Sequence, residues 1–201
     1  MNAEQHLVYH GLAIKKYADA NAVADLLELP LDRVTKALQD GVARGSVMDV
    51  GGRLTLAPTA RVALQSNYGR FYVSLRANAA FLASYENFER LNVDLKGLIT
   101  DWQTMRVGGS LIPNDHSNPE HDEQILTRLG KLHEHAERVL KGLVVELPRM
   151  GAYLRKLEHA LDRAEAGETR WVSDAKIDSY HTAWFELHED LLCMLGQQRQ
   201  E

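Results

Sequence analysis

Cysteine is almost absent from this sequence. Cys193 is the only one in 201 residues, so no disulfide can form within the chain, and disulfide-stapled secreted scaffolds are excluded. A single thiol fits a reducing compartment, and the cytoplasm is the expected location. Cys193 itself is expected to be a small core residue rather than a nucleophile.

Long apolar runs are also lacking. No segment approaches the roughly 20 consecutive apolar residues that cross a bilayer, and residues 1–6 lack the basic and then apolar layout of a secretory signal. No membrane partner is therefore predicted. Hydrophobic residues make up 45% of the chain and charged residues 25%, which is typical of a globular protein.

Positive charge is scarce over most of the chain. Residues 1–76 carry nine Lys and Arg against seven Asp and Glu, whereas residues 77–201 carry 14 against 21. Nucleic acids are bound through cations placed against phosphates, so the larger C-terminal segment should repel a phosphate backbone. Only the first segment is a candidate for nucleic-acid binding, and its positive excess is small.

Three short helices and a β-hairpin are predicted over residues 1–66. The second helix has a candidate N-cap in Asp19 or Asn21, and the third begins after Pro30. Apolar spacings of three and four predict the buried face of the third helix, formed by Leu31, Val34, Ala37, Leu38 and Val42. Gly51-Gly52 then joins two strand-like segments, a strong hairpin signal. This element order predicts a winged helix-turn-helix.

Only helices are predicted from about residue 67 onward. One long helix or two abutting ones occupy residues 69–105, and a loop rich in Gly, Pro and Asn follows over 107–119. Later helices are predicted over residues 120–146, 149–166 and 173–195. Amphipathic helices with short joints indicate a bundle. The expected fold is therefore mainly α, with residues 67–201 as an all-helical dimerisation and effector domain.

The winged-helix segment resembles MarR-type regulators. The resemblance is carried by Val34-Thr35-Lys36-Ala37-Leu38, Gly45, the Gly51-Gly52 wing and Leu56-Ala57-Pro58-Thr59-Ala60-Arg61. In that family a Leu-Thr-Pro-x-Gly-Arg-like run commonly follows the wing, and here Ala57 and Ala60 replace the Thr and the Gly. The resemblance covers roughly a third of the chain and implies a transcriptional regulator that binds DNA.

The C-terminal part carries a second resemblance. Asp101-Trp102-Gln103, Asn114-Asp115-His116 and the run from Asp178 to Leu191 are similar to a helical module at the C-terminal end of some bacterial phosphoenolpyruvate-utilising, dikinase-like proteins. There too the module follows a winged helix. The resemblance implies a stand-alone regulatory module and transfers no catalytic residues, because the phosphohistidine and nucleotide domains have no counterpart in this sequence.

The polar face of the third helix carries the candidate DNA-binding residues. In a helix-turn-helix that face enters the major groove, where Arg, Lys, Gln and Thr can read base edges. The candidates are Arg33, Thr35, Lys36 and Gln39, with Arg44 and Arg53 facing phosphates. Asp32 and Asp40 would repel phosphate, so docking has to avoid them. The alternative is an ordinary solvated face on a winged helix that contacts protein.

Two histidines fall on the inward stripe of the last predicted helix. At about 100° per residue, His181, Trp184 and His188 lie within about 60° of Ile177. An unpartnered buried imidazole costs about 1–3 kcal/mol, so each should have a partner. Core histidines bonded to Tyr or Asp are one explanation, and a small-molecule pocket completed by Trp102 is another.

A metal site is the third explanation for these histidines. His181 and His188 are too far apart for one ion, since helices usually offer two ligands three or four residues apart. One of them could instead join Asp115, His116 or His121. His133-Glu134-His135 is not expected to bind a metal, because its two imidazoles point about 160° apart. No metal or cofactor is predicted.

No enzyme is predicted either. The sequence lacks a phosphate-cradling glycine loop, a nucleophile elbow and Ser–His–Asp spacing, so no catalytic residue is assigned. The expected function is a homodimeric transcriptional regulator that reads a pseudo-palindromic operator and senses a small molecule. The alternative is a winged-helix interaction module for a partner enzyme, which the weak positive charge favours. A metal-dependent helical enzyme would rest on the histidines alone.

Overall fold

A computed structural model describes residues 1–198 and shows a mainly α fold, as predicted. The helices of the first half are α1 (Ala3–Lys15), α2 (Ala20–Leu27), α3 (Leu31–Ala43), α4 (Pro58–Phe71), α5 (Val73–Arg76) and α6 (Ala79–Gln103). Those of the second half are α7 (Pro119–Glu146), α8 (Gly151–Glu165), α9 (Arg170–Ser173) and α10 (Tyr180–Leu195), with a 3-10 turn at Pro148–Met150. The strands are β1 (Val47–Val50), β2 (Arg53–Leu56), β3 (Thr104–Val107) and β4 (Ser110–Pro113).

The chain divides into two compact units. The first unit contains Met1–Asn78 and the C-terminal segment that begins at Glu186, and the second contains Ala79–Phe185. The sequence places its domain boundary after residue 66, which lies inside α4. Because Leu64 and Tyr68 of α4 are buried in the core of the first unit, this helix belongs with the winged helix. The last turns of α10 also belong to the first unit.

The first unit has the predicted winged-helix element order of three helices and a hairpin. Asp19, one of the two expected caps, accepts a 2.9 Å hydrogen bond from a backbone N–H at the start of α2. Strands β1 and β2 pair antiparallel, with Val47 opposite Leu56. Ala18 forms an isolated antiparallel bridge with Leu54, which ties the segment before α2 to the wing.

Two residues predicted to be buried on α3 are exposed. Val34 and Leu38 lie in the core, but Leu31 is 46% exposed and Val42 is 41% exposed. The reason is the narrow contact of α3 with the rest of the unit, which buries only the stripe of Val34, Leu38 and Gly41. The apolar face that the sequence of α3 predicts is therefore wider than the face that the fold buries.

Gly41 is required for the close approach of α3 to β1. A Cβ at this position would lie 2.6 Å from Cγ2 of Val47 and 2.8 Å from the hydroxyl oxygen of Tyr9. Both neighbours are buried, so neither can move away freely. We expect Gly41→Ala to lower the free energy of unfolding by about 1–3 kcal/mol through overpacking, as measured by urea unfolding.

Gly97→Ala is the matched control for this prediction. Gly97 lies in α6, and no heavy atom comes within 4 Å of its added Cβ. Because Ala is favoured over Gly inside helices by up to about 1 kcal/mol, this variant should be more stable than the wild type. Similar destabilisation of both variants would contradict the close approach at Gly41.

The second unit contains a hairpin that the sequence prediction missed. Strands β3 and β4 pair antiparallel, with Met105 opposite Ile112, where the prediction has a helix end and a loop. The turn is Gly108-Gly109, with φ values of 58° and 88°. Two positive φ angles suit a two-residue hairpin turn, so the all-helical prediction is wrong over this segment. Elsewhere in the unit, α6 packs along α7, and α8 packs on α7.

The last predicted helix is shorter in the structure. Residues 174–179 are not helical, and α10 begins at Tyr180. The hydroxyl oxygen of Ser179 accepts a 3.3 Å hydrogen bond from the Thr182 N–H, which is the geometry of an N-cap. Ile177 therefore lies outside the helix. Among the helices of residues 1–198, none is both long and apolar enough to span a bilayer.

Candidate functional site

The candidate DNA-binding residues of α3 fall on two sides of the helix. Arg33, Lys36 and Arg44 line a groove with the N-terminal turn of α1, including Glu4. Residues Thr35 and Gln39 line a second groove, bounded by the start of α2 and by the wing. Arg53 is exposed at the start of β2. All six candidates therefore lie on the outer side of the winged helix, but they do not form one uniform patch.

Arg33 is already held by a carboxylate. Its Nε donates a 2.9 Å hydrogen bond to Oε1 of Glu4, and about half of each side chain is exposed. The hydrogen bond from Arg33 holds the pKa of the Glu4 carboxyl below its usual value, and the charge of Lys36 adds to the effect. The pair neutralises one of the four cations predicted to face DNA.

The other five candidates are not engaged within the described chain. In residues 1–198, no hydrogen bond or ion pair is formed by the side chains of Thr35, Lys36, Gln39, Arg44 and Arg53. Three cations, one amide and one hydroxyl are thus available on this surface for an external partner.

The second groove is mainly apolar, and two carboxylates are among the residues that line it. Val42 of α3 and Leu54 of β2 line it together with Asp19 and Asp49. The Asp49 carboxylate accepts a 2.8 Å hydrogen bond from the Gly52 N–H and so stabilises the turn of the wing. Phosphates would be repelled here, whereas an apolar partner with basic side chains would be attracted.

Two of the four candidate ligand-binding residues are buried tryptophans of the second unit. The indole N–H of Trp184 donates a 3.1 Å hydrogen bond to Oδ1 of Asn92, and its ring stacks on Phe88 with centroids 4.8 Å apart. Trp102 lies 4.5 Å from the His116 ring, centroid to centroid. Both indoles are thus packed against protein groups.

The two candidate histidines of α10 lie in different units. His181 is half-buried in the second unit, whereas His188 is buried in the first. Both make contacts with other residues of the chain. A pocket formed by Trp102, His181, Trp184 and His188 stays a prediction.

A buried polar chain in the first unit was not predicted. Nε2 of His10 lies 2.8 Å from Oδ1 of Asp190, and Nδ1 of the same ring lies 2.7 Å from the Tyr68 hydroxyl. Burial is the main cause that raises the pKa of Tyr68, and it also raises the pKa of the Cys193 thiol to about 12. The three partners are far apart in sequence, so no spacing pattern could have indicated them.

His6 is a second buried histidine of the first unit. It is 2% exposed, stacks on Phe71 with centroids 4.4 Å apart, and meets the edge of Tyr68. Neither ring nitrogen has a hydrogen-bond partner within the described residues. Burial, and secondly the nearby His10, lowers the pKa of His6 to about 4, so the ring is neutral at pH 7.

The structure brings no metal-ligand cluster together among the residues that it describes. His133 is half-buried, and its Nδ1 lies 3.2 Å from the Tyr180 hydroxyl, while His135 is exposed on the same helix. The imidazoles of His133-Glu134-His135 therefore have separate surroundings, as their spacing predicts.

Comparison with protein-family models, curated proteins and solved structures finds no match for this chain.

Proposed function

We propose that the chain is a transcriptional regulator whose first unit binds double-stranded DNA through α3 and the wing. The observation that carries the proposal is the set of five side chains on this surface that make no hydrogen bond or ion pair within residues 1–198. In a winged helix the same surface faces the major groove and the adjacent backbone. A homodimer and a small-molecule effector in the second unit belong to this proposal.

The chemistry of the five side chains divides them into two roles. Gln39 suits bidentate pairing with adenine, Lys36 suits donation to guanine, and Thr35 suits contact with a thymine methyl. Arg44 follows the end of α3 and Arg53 begins β2, so both suit phosphates, which position the protein without reading sequence.

The number of cations limits the affinity of one winged helix. Three unpaired cations neutralise few phosphates, so nonspecific binding should be weak. A twofold homodimer on two half-sites about one helical turn apart doubles the number of contacts. The proposal therefore predicts that tight binding requires a pseudo-palindromic site and two copies of the chain.

Selection from a random duplex library tests the proposal without knowledge of the operator. The selected duplex is then labelled, and its binding is followed by fluorescence anisotropy against an unrelated duplex. We expect the protein to bind the selected duplex at least about 10³-fold more tightly than the unrelated duplex. Lys36→Ala/Gln39→Ala should lose most of this preference, because two of the three base-reading side chains are removed, whereas Lys96→Ala in the second unit should keep it. If the selection enriches no sequence, the proposal that the protein binds DNA is wrong.

Glu4→Gln is expected to tighten DNA binding severalfold. The substitution removes the carboxylate that holds Arg33 at 2.9 Å and that repels phosphate, so a fourth cation becomes available. Arg33→Ala in the wild-type background should have a smaller effect than Lys36→Ala for the same reason. Anisotropy with the selected duplex measures all three variants. Weaker binding of Glu4→Gln than of the wild type would show that Arg33 does not face DNA.

A second candidate function is supported by the groove between α3 and the wing. Its mainly apolar lining, together with Asp19 and Asp49, suits an amphipathic helix that presents apolar and basic side chains. The winged helix would then be an interaction module for a partner enzyme. A photo-crosslinking residue at Val42 distinguishes the two functions in cells: capture of chromosomal DNA supports the regulator, and capture of one protein in its place supports the module.

A further inference from the structure

A compact polar cluster lies between β4 and α7 in the second unit. Asn114 is 9% exposed and Asp122 is 7% exposed, and both side chains are turned toward His116. Burying an amide and a carboxylate is costly unless each is fully hydrogen-bonded. The hydrogen bonds of the cluster therefore define where each proton lies.

The orientation of the Asn114 amide follows from two backbone partners. Its Oδ1 accepts a 3.0 Å hydrogen bond from the His116 N–H, and its Nδ2 donates a 3.0 Å hydrogen bond to the Trp102 carbonyl. If the amide were flipped, its NH2 group would face the His116 N–H and its oxygen would face the Trp102 carbonyl, and neither hydrogen bond could form. The second Nδ2 proton goes to Oδ1 of Asp122 at 2.9 Å, so both amide protons are used.

The hydrogen bonds of the Asn114 amide determine the tautomer of His116. Nδ1 of the ring lies 2.9 Å from Oδ2 of Asp122 and 3.3 Å from Nδ2 of Asn114. Because the Asn114 protons are already donated elsewhere, Nδ1 cannot accept one and must donate its own proton to Asp122. In the neutral ring the lone pair is then on Nε2.

The ring is held in place, and its far edge is open. One face of His116 packs on the buried Trp102, while 36% of the side chain remains exposed. No partner of Nε2 exists among residues 1–198. Because Nδ1 is engaged by the buried Asp122, Nε2 is the ring nitrogen left for an external partner.

The backbone of His116 is also unusual. Its φ is +58°, in the left-handed region that few residues other than glycine adopt. Such conformations persist when the surroundings enforce them, and they are enriched at functional sites. Here the hydrogen bond from the His116 N–H to Asn114 enforces the conformation and directs the ring at Asp122.

We propose that His116 is a proton-accepting residue of a binding or catalytic site in the second unit. Its Nε2 takes a hydrogen bond, or the proton itself, from a hydroxyl group or a water molecule, and Asp122 stabilises the imidazolium that forms. Carboxylate–imidazole pairs act as general bases in this way. The ligand class is a small molecule with a weakly acidic O–H. This site is independent of the proposed DNA surface, which lies in the other unit.

Carbethoxylation of histidines by diethyl pyrocarbonate measures the availability of the Nε2 lone pair. In this reaction the lone pair forms a bond to a carbonyl carbon, and the C–O bond to the ethyl carbonate leaving group breaks. The rate at each histidine is read by peptide mass spectrometry at a pH of about 8, where ordinary histidines are neutral. Exposed His135 serves as the internal reference.

We expect His116 to react severalfold faster than His135, although both side chains are exposed. Asp122→Asn should slow the reaction at His116 on the order of tenfold, since outer partners of functional histidines contribute effects of this size. Asp94→Asn is the matched control, because Asp94 is exposed on α6 and is not one of the hydrogen-bond partners of His116, so the rate should not change.

A measurement on the wild type does not depend on how the variants fold. Nitrogen-15 NMR of the full chain should show His116 as the tautomer with its proton on Nδ1. A proton on Nε2 would overturn the proposal, as would carbethoxylation of His116 no faster than of His135. An unchanged rate in a folded Asp122→Asn variant would assign the cluster a purely structural role.

Discussion

His10→Ala is expected to lower the free energy of unfolding by about 3–5 kcal/mol, because two buried polar groups each lose a hydrogen-bond partner and a cavity is left in the core. The ring is completely buried and connects the Asp190 carboxylate at 2.8 Å with the Tyr68 hydroxyl at 2.7 Å. Its removal takes one hydrogen-bond partner from each of them and leaves a cavity in the core.

Urea unfolding followed by far-ultraviolet circular dichroism measures this loss. His135→Ala is the control, since it removes an exposed imidazole and should change stability by no more than about 0.5 kcal/mol. Trp102, Trp171 and Trp184 all lie in the second unit, so tryptophan fluorescence reports that unit alone. A His10→Ala variant as stable as the control would contradict the buried chain.

Acid is expected to destabilise the first unit through His6. An unfolded histidine has a pKa of about 6.5, and burial lowers the pKa of His6 in the folded protein to about 4. The unfolded state therefore binds a proton that the folded state excludes. Stability is fully present above pH 6.5, falls as the pH is lowered through this window, and has lost up to about 3 kcal/mol near pH 4.

His6→Phe isolates this contribution. Phenylalanine keeps a ring against Phe71 and Tyr68 but cannot bind a proton, so the variant should lose much less stability than the wild type between pH 6.5 and pH 4. Urea unfolding at a series of pH values provides both curves. Parallel curves for the two proteins would mean that His6 titrates normally in the folded state.

The winged helix was predictable because its signals are local. Asp19 caps α2, Pro58 begins α4, and Gly51-Gly52 forms the turn of the wing with φ values of 64° and 85°. Each of these features depends on a few neighbouring residues and on backbone geometry. The order of elements then follows without knowledge of the tertiary contacts.

The hairpin of the second unit, the exposed residues of α3 and the start of α10 were predicted wrongly because they depend on neighbouring elements and on tertiary packing. Gly108-Gly109 forms the same kind of two-residue turn as Gly51-Gly52 in the wing. The strands beside it have only four residues each, and β3 comes directly after α6. The apolar periodicity of the helix therefore hid the first strand, and the hairpin was predicted as a helix end and a loop. The exposure of Leu31 and Val42 depends on how much of α3 is covered, which periodicity does not reveal. Similarly, the start of α10 depends on the Ser179 cap.

The exposure of the candidate residues on α3 was predictable, but their contacts were not. The exposed face of α3 follows from its apolar stripe, yet the pairing of Arg33 with Glu4 joins two helices and has no sequence pattern. The same is true of His10, Asp190 and Tyr68, which meet only after folding. Proton positions at His116 require the distances themselves.

The salt dependence of DNA binding tests the proposed function most directly. For a duplex selected by the wild type, each phosphate contact contributes about −0.9 to the slope of log K against log salt. Arg44 and Arg53, the two side chains assigned to phosphates, together predict a slope of about −1.8 per winged helix, and Arg44→Ala/Arg53→Ala should reduce its size to near zero. The same slope in both proteins would contradict the account, because α3 and the wing would then not face the phosphates.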